Sequence, residues 1–290
     1  MAAPPVQLDY KVINPPGTVR HSHTVIMLHD NEEDADALGS DFFELRCSPG
    51  NDFHPRRLVN VLDCFRWVFP HAPFQIGNQA TVRRWFTIPN PLQQQDSPAL
   101  DDPHELEVSI DGILNLIRNE QKSVRRHQIY IGGHGQGFAV AAAAFLVDGE
   151  GDFAGLFGLN GWLPHVSMIQ GGSPDNFWRW VSNARALLHP TRFGSLFTRP
   201  YPSDDHDIVV PPPSVDHNCG IVQRRTTLGR RRTPIFLAHP HYDSVVDCAS
   251  SAAASDAFDR MGWVGAGFED YPHDNGETQS PAATTLAVDT

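Results

Sequence analysis

The chain has no apolar run approaching the roughly 18 residues that a transmembrane helix needs, and residues 1–16 carry no apolar stretch of signal-peptide length. A cytosolic protein without a transmembrane segment is expected. Cysteine is scarce. Cys47, Cys64, Cys219 and Cys248 stand far apart with no CxxC pair, which argues against zinc or dithiol redox chemistry and fits a reducing compartment. Basic charge is thin as well, with 22 Lys and Arg against 34 Asp and Glu and a formal charge of -12. Binding a polyanion needs clustered cations to neutralise phosphates, so nucleic acid is not an expected partner. The one basic cluster, Arg224-Arg225 to Arg230-Arg231-Arg232, reads as a solvated loop beside a strand. No internal repeat is found.

With 290 residues, 40% of them apolar, the chain can bury one large core, and a single domain over 1–290 is expected. The run His23-Thr24-Val25-Ile26-Met27-Leu28-His29 is β-branched and apolar through its centre, as suits a strand buried on both faces of a parallel sheet. It leads into an acidic loop, Asp30 to Asp36. Phe65 to Pro70, Ile129 to Gly132, Phe153 to Leu159, Thr233 to Ala238 and Gly265 to Tyr271 read as further strands. Between them Asp102 is suited to cap a helix, Pro103 fits its first position and Glu105 completes a capping box. Leu106, Ile110, Ile113, Leu114 and Ile117 then recur at helical spacing and form one core-facing stripe. The alanine-rich run Phe138 to Val147 and the segment Ala249 to Arg260 read as two more helices. Strands alternating with helices at this spacing predict a doubly wound, mainly parallel sheet with helices on both faces. Residues 165–232 interrupt the alternation with an amphipathic piece near Phe177 to Leu188 and the stretch Pro211-Pro212-Pro213. A lid-like insertion or a poorly ordered loop is expected there, and a flexible tail over 275–290.

The segment Ile129 to Ala139 reads as a strand, a sharp turn and a helix. Its turn, Gly133-His134-Gly135-Gln136-Gly137, has the frame of G-x-S-x-G, the nucleophile elbow of α/β-hydrolases, whose flanking glycines let a strained turn lift a serine hydroxyl above the sheet. Glycine stands where the serine would. Gly135 offers neither hydroxyl nor thiol, so an acyl-enzyme cannot form at this position.

From about His23 to His273 the chain resembles the acyl-protein thioesterase group of the phospholipase/carboxylesterase family, particularly its fungal branch. The correspondences follow the family's order: Leu28-His29, Phe42-Phe43, Trp67 to Pro70, Arg84-Trp85-Phe86, Gly133 to Ala139, Gly161 to Pro164, His239 to Val246 and Met261-Gly262-Trp263. The resemblance implies an α/β-hydrolase fold acting on carboxylic esters or thioesters. It also implies that Asp243 is the triad acid, in a segment similar to H-G-x-x-D-x-x-V, and that His273 is the triad histidine. A carboxylate would fix the imidazole tautomer, and the imidazole would take the nucleophile's proton. Gln136, through its backbone N–H, and Asp30 are the expected oxyanion residues. Where the family's oxyanion loop resembles L-H-G-x-G, this chain reads Leu28-His29-Asp30-Asn31-Glu32, which sets acids beside a site meant to stabilise negative charge. His29, His134, Trp85 and Trp162 are candidates to line the pocket, with His134 expected to pack under the elbow.

His239-x-His241-x-Asp243 also fits the alternation of a metallo-hydrolase motif, but Ser244 stands where a further histidine would be needed, and no metal or cofactor is expected. Three functions remain open. The chain is an esterase or thioesterase homologue impaired by Gly135, an enzyme that uses an Asp243–His273 dyad as general base on a small molecule, or a ligand- or partner-binding protein built on an old acyl pocket. A small-molecule or acylated ligand is the expected partner, and a homodimer is left open.

Overall fold

The computed structural model describes residues 6–47, 56–77, 82–88, 103–170, 177–193, 233–241, 243, 246–263 and 266–271. Among them a seven-stranded sheet comprises β1 Tyr10–Ile13, β2 His23–Leu28, β3 Phe65–Pro70, β4 Ile129–His134, β5 Gly155–Leu159, β6 Ile235–Pro240 and β7 Ala266–Tyr271. Their spatial order is β1-β3-β2-β4-β5-β6-β7. All neighbours run parallel except β1, which lies antiparallel on β3 at the edge. The longer helices are α1 Ala35–Glu44, α2 Pro103–Glu120, α3 Gln136–Asp148, α4 Phe177–Leu188 and α5 Cys248–Arg260.

Alternation along β2 divides the core. Ile26 and Leu28 face the cluster built with α2, α3, α4 and α5, whereas Val25 and Met27 face the side covered by α1. On that second side Phe42 meets Trp67 with ring centroids 4.9 Å apart. The stripe expected on α2 is buried as a unit, Leu106, Ile110, Ile113, Leu114 and Ile117 together. Its expected cap, Asp102, lies outside the described residues.

Helix α3 is buried from Gln136 through Val147, and its alanines let it press on the sheet. The contact is close enough that a Cβ on Gly133 would lie 2.6 Å from the Gly137 carbonyl carbon, and one on Gly137 would lie 2.6 Å from the Leu28 oxygen. The flanking glycines of the turn are therefore a packing requirement of strand β4 and helix α3.

Strand β1 and the start of α1 differ from the sequence expectations. The acidic run after β2 turns into α1 at Ala35, because the Asp34 carboxylate caps the helix by accepting from Asp36 N at 2.7 Å. Helix α4, expected within an insertion, packs against α3 with Val181, Ala184 and Leu188 buried, and Arg185 donates to the Val147 carbonyl at 2.8 Å. Residues 171–176, 194–232 and 275–290, the rest of the expected insertion and tail, lie outside the described residues.

Candidate active site

Parallel pairing of β2 and β4 sets Leu28 opposite Gly133. The residues two positions beyond each are Asp30 and Gly135, and the register brings their loops together at the carboxyl ends of the strands, where open α/β sheets place their sites. Gly135 has φ 50° and ψ -118°, a backbone state that side-chain-bearing residues adopt only under strain. Its N–H donates to the Leu159 carbonyl at 2.9 Å, and the helix starts at the next residue. This is the shape of a nucleophile elbow without a side chain on it.

The space that side chain would take is filled. A Cβ built on Gly135 would clash with the Asp30 carboxylate, meeting Cγ and both oxygens. Asp30 Oδ1 accepts the Gln136 N–H at 2.6 Å and the Asn31 N–H at 2.7 Å. Among the described residues Oδ2 accepts none. The Asp30 N–H donates in turn to Glu33 Oε2 at 2.9 Å. The backbone donors expected to hold a substrate oxyanion thus already hold acids of the protein's own loop.

The three aromatic side chains expected in the pocket besides His134, namely His29, Trp85 and Trp162, are buried beside this arrangement. His29 is fully buried; its Nδ1–H donates to the Asp30 carbonyl at 2.7 Å while Nε2 accepts the Ala72 N–H at 3.1 Å, which fixes a neutral tautomer. Burial holds its pKa below the ordinary histidine value. Trp85, also fully buried, donates from Nε1 to the His29 carbonyl at 2.8 Å, and its backbone N–H donates to Gln136 Oε1 at 2.8 Å. The Gln136 side chain closes the frame by donating to the Phe86 carbonyl at 2.8 Å. Trp162 is buried against Phe86, with ring centroids 6.5 Å apart.

His134 does not pack under the elbow. Its side chain keeps 23% exposure and its Nδ1 lies 3.3 Å from Glu33 Oε1. Burial alone would lower its pKa, but the bond to Glu33 and the charges of Asp30, Glu33 and Asp243 outweigh it and hold the imidazole above its ordinary value. Glu33 is held below the carboxylate range, its own burial outweighed by the bond to His134. Asp30 goes the other way. Burial raises its carboxyl above the ordinary value against the opposing effects of His134 and the two N–H donors.

Asp243 lies beyond β6, where Oδ1 accepts the Val246 N–H at 3.1 Å. His239 is fully buried behind it; its Nε2–H donates to the Val246 carbonyl at 2.8 Å, its Nδ1 pairs with Ser251 Oγ at 2.7 Å, and Asp243 Oδ2 is 3.6 Å from Nε2. His241 turns away to an exposed contact with Asp270 at 3.4 Å. His239 and Asp243 thus lie together against Val246 while His241 points to Asp270, and among the described residues no group of His, Cys, Asp and Glu could hold a metal ion. At the end of β7 the Tyr271 hydroxyl donates to Asn160 Oδ1 at 3.5 Å. The structure brings Asp243, Asp30, Gln136, Gly135 and His134 together at one sheet end; His273 lies outside the described residues.

The arrangement matches known folds. A family model described as phospholipase/carboxylesterase matches residues 48–174, which include the elbow but neither Asp30 nor Asp243. Acyl-protein thioesterase 2 from Zea mays superposes with a TM-score of 0.53 at 16% identity, over 91% of this chain and 89% of that one. Esterase PE8 gives 0.57 at 12% identity over 93% and 91%. A phospholipase/carboxylesterase from Dyadobacter fermentans DSM 18053 gives 0.54 at 14% identity over 97% and 95%. The chain has the α/β-hydrolase fold. No curated protein matches the sequence significantly. Among the described residues no helix is long and apolar enough to cross a membrane.

Sequence reasoning missed Glu33 and the part Asp30 plays. The signal for Asp30 was the replacement of loop glycines by acids; for Glu33 there was none, because its role follows from where His134 lies.

Proposed function

We propose that this chain is an acyl-protein thioesterase- or carboxylesterase-like hydrolase homologue, suited by descent to carboxylic esters or thioesters, that has lost the covalent reaction. Its ligand on this reading is a small or acylated molecule and its setting the cytosol. The observation that carries the reading is the elbow itself: residue 135 keeps the backbone of a nucleophile position, has no side chain, and has the Asp30 carboxylate in the nucleophile's place. Loss of a triad nucleophile costs about a million-fold, and the occupied N–H donors remove the residual help of an oxyanion hole.

The test is hydrolysis of short and medium acyl p-nitrophenyl esters and of an acyl thioester. The wild type and Gly135→Ser are both expected to be inactive, because the new side chain meets Asp30 and the donors stay occupied. The double variant Asp30→Gly/Gly135→Ser frees both and is expected to gain about 100-fold over either. Hydrolysis by wild type at ordinary serine-hydrolase rates, or a folded but inert double variant, would count against the reading.

A non-hydrolytic reading has one specific support, the hydrogen-bonded Asp243 beside a site without a nucleophile. On that reading an Asp243–His273 dyad works as a base on a small molecule, and His273→Ala abolishes the activity.

A further inference from the structure

A carboxylate with one oxygen pinned by two backbone N–H groups and the other accepting no hydrogen bond from the described residues is a positioned proton acceptor. Asp30 is that carboxylate, and it is only partly exposed. We propose that Asp30 is the reacting group of this site, a general base standing where a serine would stand, and that it acts on small molecules carrying an acidic C–H next to a leaving group. The inference rests on the reading that Gly135 marks a nucleophile position without a nucleophile.

Addition to a carbonyl is poorly served here because, of the N–H groups that would stabilise the oxyanion, that of Gln136 is bound to Asp30 Oδ1 and that of Asp30 to Glu33 Oε2. Elimination makes no such demand. Asp30 Oδ2 takes the proton from carbon, the C–H electron pair becomes the new π bond, and the bond to the leaving group breaks with its pair going to the departing atom. The departing atom then takes a proton from the His134 imidazolium, and both groups re-equilibrate with solvent. The groups that face Asp30 set its charge state: Glu33 from its own loop and His134 from β4, with Asp243 acting on it through His134 from the loop after β6. Tyr271 on β7 answers to Asp243 rather than to Asp30.

The experiment uses 5-nitrobenzisoxazole as the probe, followed by release of the phenolate. A base removes the ring C–H proton, the electron pair completes a nitrile, and the N–O bond breaks to give the phenolate, so no oxyanion hole is involved. The full-length wild type is expected to exceed an equal concentration of acetate, with a rate that rises with pH through a midpoint above the ordinary carboxylate range. Asp30→Asn keeps an acceptor oxygen for both N–H groups and is expected to lose about 100-fold or more. Asp256→Asn, an exposed acid paired with Arg260, should not change the rate. If Asp30→Asn proves unfolded, carbodiimide coupling of glycine ethyl ester to the wild type replaces it. Loss of elimination in step with modification of the Asp30 peptide supports the proposal, and loss that tracks another peptide overturns it. A wild type no faster than acetate, or an unchanged folded Asp30→Asn, also overturns it. Labelling by a fluorophosphonate is read separately: a labelled wild type defeats the reading of lost covalent hydrolysis whatever the elimination assay shows, while an unlabelled, non-eliminating protein defeats only the role of Asp30.

Discussion

Two carboxylates, Glu120 at the end of α2 and Asp30 in the loop after β2, lie at the two ends of strand β2 in different settings. At the start of the strand Glu120 is buried with Arg66, which donates to Oε2 at 3.0 Å from Nε and to Oε1 at 3.2 Å from Nη2, while the Thr24 hydroxyl donates at 3.2 Å. At the far end Asp30 is held by backbone N–H groups, and the cation nearest to hand is an imidazole shared with Glu33. The first acid has a permanent, two-pronged counterion and serves cohesion. The second has a partner that can itself titrate and a carboxyl raised by burial, the condition of a group placed to exchange protons. The same residue chemistry becomes structure at one end of a strand and reactivity at the other because of what faces it.

The contrast is broken most severely at the structural end. Glu120→Ala leaves Arg66 part-buried without its partner, and urea unfolding is expected to show a loss of about 3 kcal/mol. An unchanged midpoint would mean that Arg66 swings to solvent at no cost.

At the reactive end the effect on stability is smaller and opposite in sign. A carboxyl raised in the folded state favours folding below its unfolded pKa, and that contribution is lost as pH rises through the folded value. Wild-type stability should therefore fall, relative to Asp30→Asn, as pH rises from the ordinary carboxylate range toward neutrality. The asparagine variant should be the more stable of the two at pH 7, and parallel unfolding curves across that interval would refute the assignment.

The mildest change sharpens the comparison without removing the base. Glu33→Gln withdraws the acid that bonds His134, so the His134 pKa should move down toward the ordinary histidine value, read by NMR titration of the ring protons. The stability contributed by charging His134, present below about pH 6.5 and lost as pH rises through its raised folded value, should shrink with it. A static His134 resonance would show that Glu33 is a bystander.

Much of the scaffold was legible in the residues. The apolar run of β2, the stripe on α2 and the alanines of α3 each state their partner by periodicity and size, and the strand-turn-helix around Gly135 states its own geometry through its glycines. Strand β1 was not legible, since Tyr10-Lys11-Val12-Ile13 has no continuous apolar run and is extended only because β3 offers an edge. The start of α1 was hidden for a similar reason, its capping acid lying within a run that reads as a loop.

What the sequence alone determined is local: a tight turn, a missing hydroxyl, acids after the first buried strand. What only the tertiary structure decided is that one of those acids stands on the turn. Parallel registry of β2 with β4 carries Asp30 to Gly135 across more than a hundred residues of chain, and a glycine without Cβ leaves the volume the carboxylate fills. Short-range preferences are written in neighbouring residues, whereas the position of a charge relative to a distant backbone is settled only when the sheet closes between them.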